Sequence, residues 1–210
     1  MFTLSITIVL TLLIVITSIQ AFNNSNLYYK FIFNPYQVVK NGEYYRVFSH
    51  VLLHADWGHL AFNMFAFFSF GRFLEGYFTD KYGSALGSVL FLALFFGGTF
   101  IASIPALRKH GNNPNYNAVG ASGAVSAVMM AFMIMFPLAR ISFFFAIPMP
   151  AYVGALLFFV FEHFMQKRGG TNIAHDAHIW GALGGLFFVV LLDYNYLINF
   201  FTSIYLSFSR

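Results

Sequence analysis

Six apolar runs, each close to the length a helix needs to cross a bilayer, occupy most of this 210-residue chain. They lie at about 3–22, 57–78, 83–105, 118–137, 139–163 and 174–193. A helix rises about 1.5 Å per residue, so roughly 20 apolar residues span the hydrocarbon core. Lipid offers the backbone no hydrogen bonds, which leaves helices as the way for such runs to cross. The expected fold is therefore all-α: a polytopic membrane helix bundle of six transmembrane helices, forming a single domain over 1–210.

Only 9% of the residues are charged, far below the share in a soluble domain. Thirty phenylalanines and twelve tyrosines suit a surface that faces lipid and anchors at its interface. The absence of cysteine excludes disulfides, thiolate catalysis and cysteine-ligated metals. The net charge of +4 is scattered through loops, with no basic block of the kind that grips nucleic acid. Met1 to Phe22 is expected to be a retained span rather than a signal peptide, because no Lys or Arg precedes it and it exceeds a signal's apolar core of roughly 7–15 residues.

The links after the second and fourth runs are short, so spans two and three, and four and five, should be antiparallel neighbours. Residues 23–56 form the one long connection, an aromatic segment (Tyr28, Tyr29, Phe31, Phe33, Tyr36) suited to lying in the interface. Residues 106–117 read as a polar loop, and 194–210 as an aromatic tail too short and polar for a seventh span. Alternating crossings put the starts of spans two, four and six on one side. Those starts carry His59 and Asn63, then Ser122, then His178.

Ser122 lies in Gly120-Ala121-Ser122-Gly123, and His178 in Ala177-His178-Ile179-Trp180-Gly181. A serine becomes nucleophilic when an imidazole accepts its proton. The competing explanation for the first motif is close helix packing, which small residues favour. Alanine at 124 means that it is not the elbow of the α/β-hydrolases. An ionisable group inside a span is usually functional, although a histidine hydrogen-bonded for packing is the plainer alternative. Gly181 and Gly185 share a helical face with His178, and Gly123, Ala127 and Ala131 offer a matching face beside Ser122. Spans four and six are therefore expected to touch.

No carboxylate partner for His178 is evident. Asp176 is two residues away and faces elsewhere, and Asp193 is about four turns distant. The expectation is a Ser–His dyad, with His175 and Asp176 at the wet mouth of the span. His59 and Asn63, four residues apart, can both donate hydrogen bonds to an oxyanion, as can the Ser122 backbone amide. His50, His54 and His59 raise the alternative of a metal site, but no carboxylate or His-Glu-x-x-His pattern completes it. No metal and no cofactor are expected.

Together these motifs resemble the rhomboid intramembrane serine proteases, from about Glu43 to Asp193. Ser122 falls on the family's nucleophile motif, His178 with Gly181 and Gly185 on its base motif, and His59-x-x-x-Asn63 on its oxyanion motif. Glu43-x-x-Arg46, Gly71 and Glu75 also match, while Tyr45 stands where tryptophan is usual and Ser126 where an aromatic often stacks on the base. The resemblance implies hydrolysis of transmembrane protein substrates at the edge of the bilayer, without cofactor. It also implies a multi-pass protein of the bacterial inner (plasma) membrane, its active site toward the extracytoplasmic side. The charges point the other way: seven Lys or Arg (Lys30, Lys40, Arg46, Arg108, Lys109, Lys167, Arg168) lie on the site side and four (Arg72, Lys81, Arg140, Arg210) opposite. Two alternatives from other classes are a non-catalytic rhomboid-like protein that binds or escorts transmembrane helices, and a transporter. The chain keeps both serine and histidine, which disfavours the first. It lacks a mid-span acid and an internal repeat, which disfavours the second.

Overall fold

The computed structural model describes residues 5–143, 147–169 and 174–209. Residues 3 and 4 of the first expected span, 144–146 of the fifth, and Arg210 of the charge comparison lie outside them. The described chain is helical apart from one hairpin. Helix α1 is Ile6–Phe22. The connection after it folds into α2 (Ser25–Phe31), α3 (Pro35–Asn41), α4 (Arg46–Ser49) and a 3₁₀ turn at His50–Leu52. There follow α5 (Trp57–Tyr82), α6 (Ser84–His110) and α7 (Ser122–Met135). A hairpin of β1 (Arg140–Phe143) and β2 (Ile147–Pro150) leads to α8 (Ala151–Arg168), α9 (His175–Leu192) and α10 (Asn195–Phe208).

Short polar side chains begin several of these helices. Asn24, Asn34 and Asp56 accept the otherwise unpaired N–H groups of Leu27, Gln37 and His59. The long loop is thereby a folded layer over the bundle. Arg46 organises it, donating to the carbonyls of Tyr29 and Ile32, each at 2.9 Å, while its Nε meets Glu43 at 2.5 Å.

Helix α7 is the centre of the molecule: it packs against α5, α6, α8 and α9, and nearly all of it from Gly123 to Met135 is buried. The expected span 118–137 is thus a shorter helix. Residues 118–121 are drawn into the loop layer instead, with Ala118 paired to Phe33 and the Gly120 N–H bonded to the His50 carbonyl at 3.1 Å. The expected fifth span also needs correction. Residues 140–143 and 147–150 form antiparallel strands, with Arg140 opposite Pro150, and the helix starts only at Ala151. Pro148 and Pro150 supply no N–H and push the preceding residues out of helical geometry. Helices α5 and α6 absorb their expected link almost completely. Only Gly83 remains between them, in a left-handed conformation (φ +83°) that glycine adopts without strain.

Among the described residues, two helices, α6 and α9, are long and apolar enough to cross a membrane by length and composition, while α1 and α7 are apolar but shorter. Helices α5 and α8 are long, and the charges they carry lower their hydropathy. One of those charges fastens α1. Glu75 of α5, buried, accepts from Ser5 Oγ (2.6 Å), Ile6 N–H (2.6 Å) and Thr7 N–H (3.1 Å), so a carboxylate caps the positive end of α1. Glu75→Gln should weaken this cap by about 1–3 kcal/mol, the scale of a hydrogen bond to a charged group. Thermal unfolding in detergent should read it as a lower midpoint; an unchanged midpoint would show that α1 is held by apolar packing alone. After a break at Asp193 the tail forms a separate helix, anchored at the same end of α5 as Glu75. Tyr196 secures it, bonded to Tyr77 Oη at 2.8 Å and Lys81 Nζ at 2.7 Å.

Candidate active site

The contact between α7 and α9 sets the site. A methyl group on Gly181 would lie 2.2 Å from the Gly123 carbonyl oxygen, and one on Gly185 2.1 Å from that of Ala127. Both distances are impossible for a real side chain, so the two backbones touch as the small-residue faces predict. A methyl on Gly123 would meet the Ala177 carbonyl oxygen at 3.6 Å. Ser122 precedes Gly123 and His178 follows Ala177, so the two residues flank one backbone contact. Ser122 opens α7, and its amide therefore belongs to the first turn that finds no acceptor within the helix.

His59 closes the other side. Its ring lies so close to Gly120 that a side chain there would come within 2.7 Å of Cε1. Gly120 also has φ +119°, a second reason for glycine at this point. The Nδ1 of His59 lies 3.5 Å from the Ala55 N–H, at the outer limit of a hydrogen bond. Asn63, buried on the next turn, gives one amide hydrogen to the His59 carbonyl at 2.9 Å and keeps the other. His178 lies near enough to His59 for the two rings to interact electrostatically.

The other two histidines of the expected cluster have supporting places. His50 bonds through Nδ1 to the Arg46 carbonyl at 3.0 Å and rests on Phe33, while its own carbonyl holds Gly120. His54 is fully buried, meets Ser18 Oγ at 3.0 Å and sets its ring edge-on to His59 at 4.9 Å. Burial pushes the His50 pKa down to about 4 and that of His54 to about 3. Both stay neutral in the fold, whereas an unfolded histidine titrates near 6.5. Their contribution to stability is complete above about pH 6.5 and is lost as the pH falls toward the folded values. Thermal midpoints in detergent should therefore drop between about pH 7 and pH 4.5, and by less in His54→Asn. An equal drop in that variant would assign the acid sensitivity to other groups.

The sequence offered His178 no carboxylate, and the structure supplies one. Glu162 of α8 reaches His178 Nδ1 with Oε1 at 3.0 Å and His175 Nδ1 with Oε2 at 2.6 Å. Its side chain is 8% exposed, against 16% for His178 and 6% for His175. His175 is therefore buried on Glu162, not at a wet mouth; Asp176, half-buried, accepts from the Ala177 N–H. The ligand atoms of Glu162, His175 and His178 lie within 4.8 Å of one another, close enough to suggest a cation. In this structure the two histidine Nδ1 atoms meet the carboxylate oxygens directly, at 2.6 and 3.0 Å. These are direct hydrogen bonds. The missed signal was a glutamate directly after the apolar run 151–161 of α8, a charge that membrane energetics marks as costly unless paired.

A model of the rhomboid domain matches residues 41–195. The chain belongs to the rhomboid family. Rhomboid-family proteins are embedded in membranes, and this one is 31% identical over 150 residues to "Putative rhomboid protease YdcA" of Bacillus subtilis (strain 168), covering 70% of this chain and 66% of that protein. It is 26% identical over 150 residues to "RHOMBOID-like protein 12, mitochondrial" of Arabidopsis thaliana, covering 68% and 45%. The chain thus spans about half to two thirds of these relatives' own length. The matched region contains every residue of the candidate rhomboid site, from His50 to His178, and Glu162 with them.

Proposed function

We propose that this rhomboid-family protein is an intramembrane serine endopeptidase that cleaves transmembrane segments of other proteins. Its 210 residues act as one membrane domain, with α1, α5, α6, α7, α8 and α9 as the six spans. The observation that carries this reading is the backbone contact of Gly123 with Gly181, which flanks Ser122 and His178. Ser122 Oγ attacks the scissile carbonyl, while His178 Nε2 takes its proton and returns it to the leaving amine. The tetrahedral oxyanion is held by the Ser122 amide, by His59 and by the free hydrogen of Asn63 Nδ2. A water then repeats the attack on the acyl-enzyme. Ser122 and His178 are half-buried and begin their helices beside the loop layer, which supports water reaching them from that side.

That side faces the exterior of a bacterial plasma membrane in this reading, and the substrate is a membrane protein whose helix unwinds near its outer end. Labelling the purified protein with a fluorophosphonate tests the chemistry. An adduct on Ser122 by mass spectrometry is expected; no adduct, where a control serine hydrolase reacts, counts against the proposal.

A further inference from the structure

We infer that Glu162 is a positioning residue for His178, which makes the site a Ser–His–Glu constellation assembled from α7, α9 and α8. The inference rests on the serine-protease reading above and adds a third member that the sequence did not disclose.

A carboxylate in the interior of a membrane helix is costly unless its charge is matched by hydrogen bonds. Glu162 has two such bonds, and both go to Nδ1 nitrogens. An ionised carboxylate accepts only, so each ring must present Nδ1–H to it. For His178 that choice fixes the tautomer. The proton sits on Nδ1, and Nε2 keeps the lone pair that a base needs toward Ser122. The bond also sets the ring's rotation, because Nδ1 is tied to α8 while the helix backbone is tied to α7 at Gly181. When His178 takes the serine proton, the imidazolium forms against a negative charge at 3.0 Å, inside a site that water screens poorly.

His175 completes the arrangement from the other side. It holds Oε2 at 2.6 Å, which leaves Oε1 to His178 and prevents the carboxylate from turning away. The groups that face His178 are thus Glu162 on α8, His175 on its own helix and His59 on α5.

The test compares wild type, Glu162→Gln, Glu162→Asp and Ser122→Ala in proteoliposomes with a cleavable transmembrane reporter, measuring kcat and KM across pH. Glu162→Gln should keep KM near wild type, lower the thermal midpoint as expected for Glu75→Gln, and lose up to about 10⁴-fold in kcat, as when a base loses its orienting carboxylate. Its acid limb should move to lower pH, because the imidazolium is no longer stabilised. Glu162→Asp should recover part of the rate. Wild-type kcat and pH profile in Glu162→Gln, with Ser122→Ala inactive, would overturn the inference and leave the protease reading standing. Cleavage by Ser122→Ala would sink the protease reading itself. Cleavage abolished by EDTA and restored by zinc would replace the positioning role with a metal site. Nitrogen-15 spectra of labelled histidine, with His178 assigned by difference from His178→Ala, need no substrate. The Nδ1–H tautomer should dominate in wild type and decline in Glu162→Gln, and a tautomer indifferent to Glu162 would also refute the inference.

Discussion

Ser122→Ala should abolish cleavage of a transmembrane reporter while leaving the protein folded. The alanine removes one oxygen at the start of α7 and touches none of the packing beneath it, since the contact with α9 is made by Gly123. A nucleophile and base that act as a unit lose about 10⁴- to 10⁶-fold when either is removed, so His178→Ala should fall equally far and the double variant no further. That non-additivity is the informative part. If the two single losses instead multiplied in the double variant, serine and histidine would be acting in separate steps. Full cleavage by either single variant would turn the reading toward a protein that only binds transmembrane helices.

The second large effect concerns architecture. Gly181→Val and Gly185→Val each force a branched side chain onto a backbone carbonyl of α7 that already lies within 2.2 Å of where its first carbon must go. No flexible side chain stands in the way to be moved aside, so the helices must separate. Overpacking of a core costs about 1–3 kcal/mol, and backbone obstruction belongs at the top of that range. Displacement also lowers activity, because a shift of about 1 Å between reacting groups costs about 10²-fold. Both variants should show a lower thermal midpoint and a lower kcat. Valine at Gly97, where nothing lies within 4 Å of the added carbon, is the matched control on α6 and should change neither. A normal midpoint in Gly185→Val would mean that the backbones are not in contact.

Periodicity and residue size carried much of this into the sequence. The glycine spacing after His178 and the small-residue face after Ser122 predict one another, because small residues let two helix backbones approach closely. His59 and Asn63 were legible for a similar reason: four residues apart on a helix is one face. The strand pair at 140–143 and 147–150 was written in Pro148 and Pro150, but a hydropathy run hides it. Apolar residues count alike whether they lie in strand or helix.

Glu162 was beyond the reach of that reasoning. Sixteen residues separate it from His178, and no spacing rule connects two helices whose relative rotation is unspecified. The rotation of α8 depends on side-chain packing against α7 and α9, a sum of many weak contacts that no local pattern encodes. The burial of His175 is a consequence of the same placement. The residues of the chain alone thus determined which groups can do chemistry and which faces can meet. Only the tertiary structure decided which carboxylate pairs with His178, because that choice is made between helices.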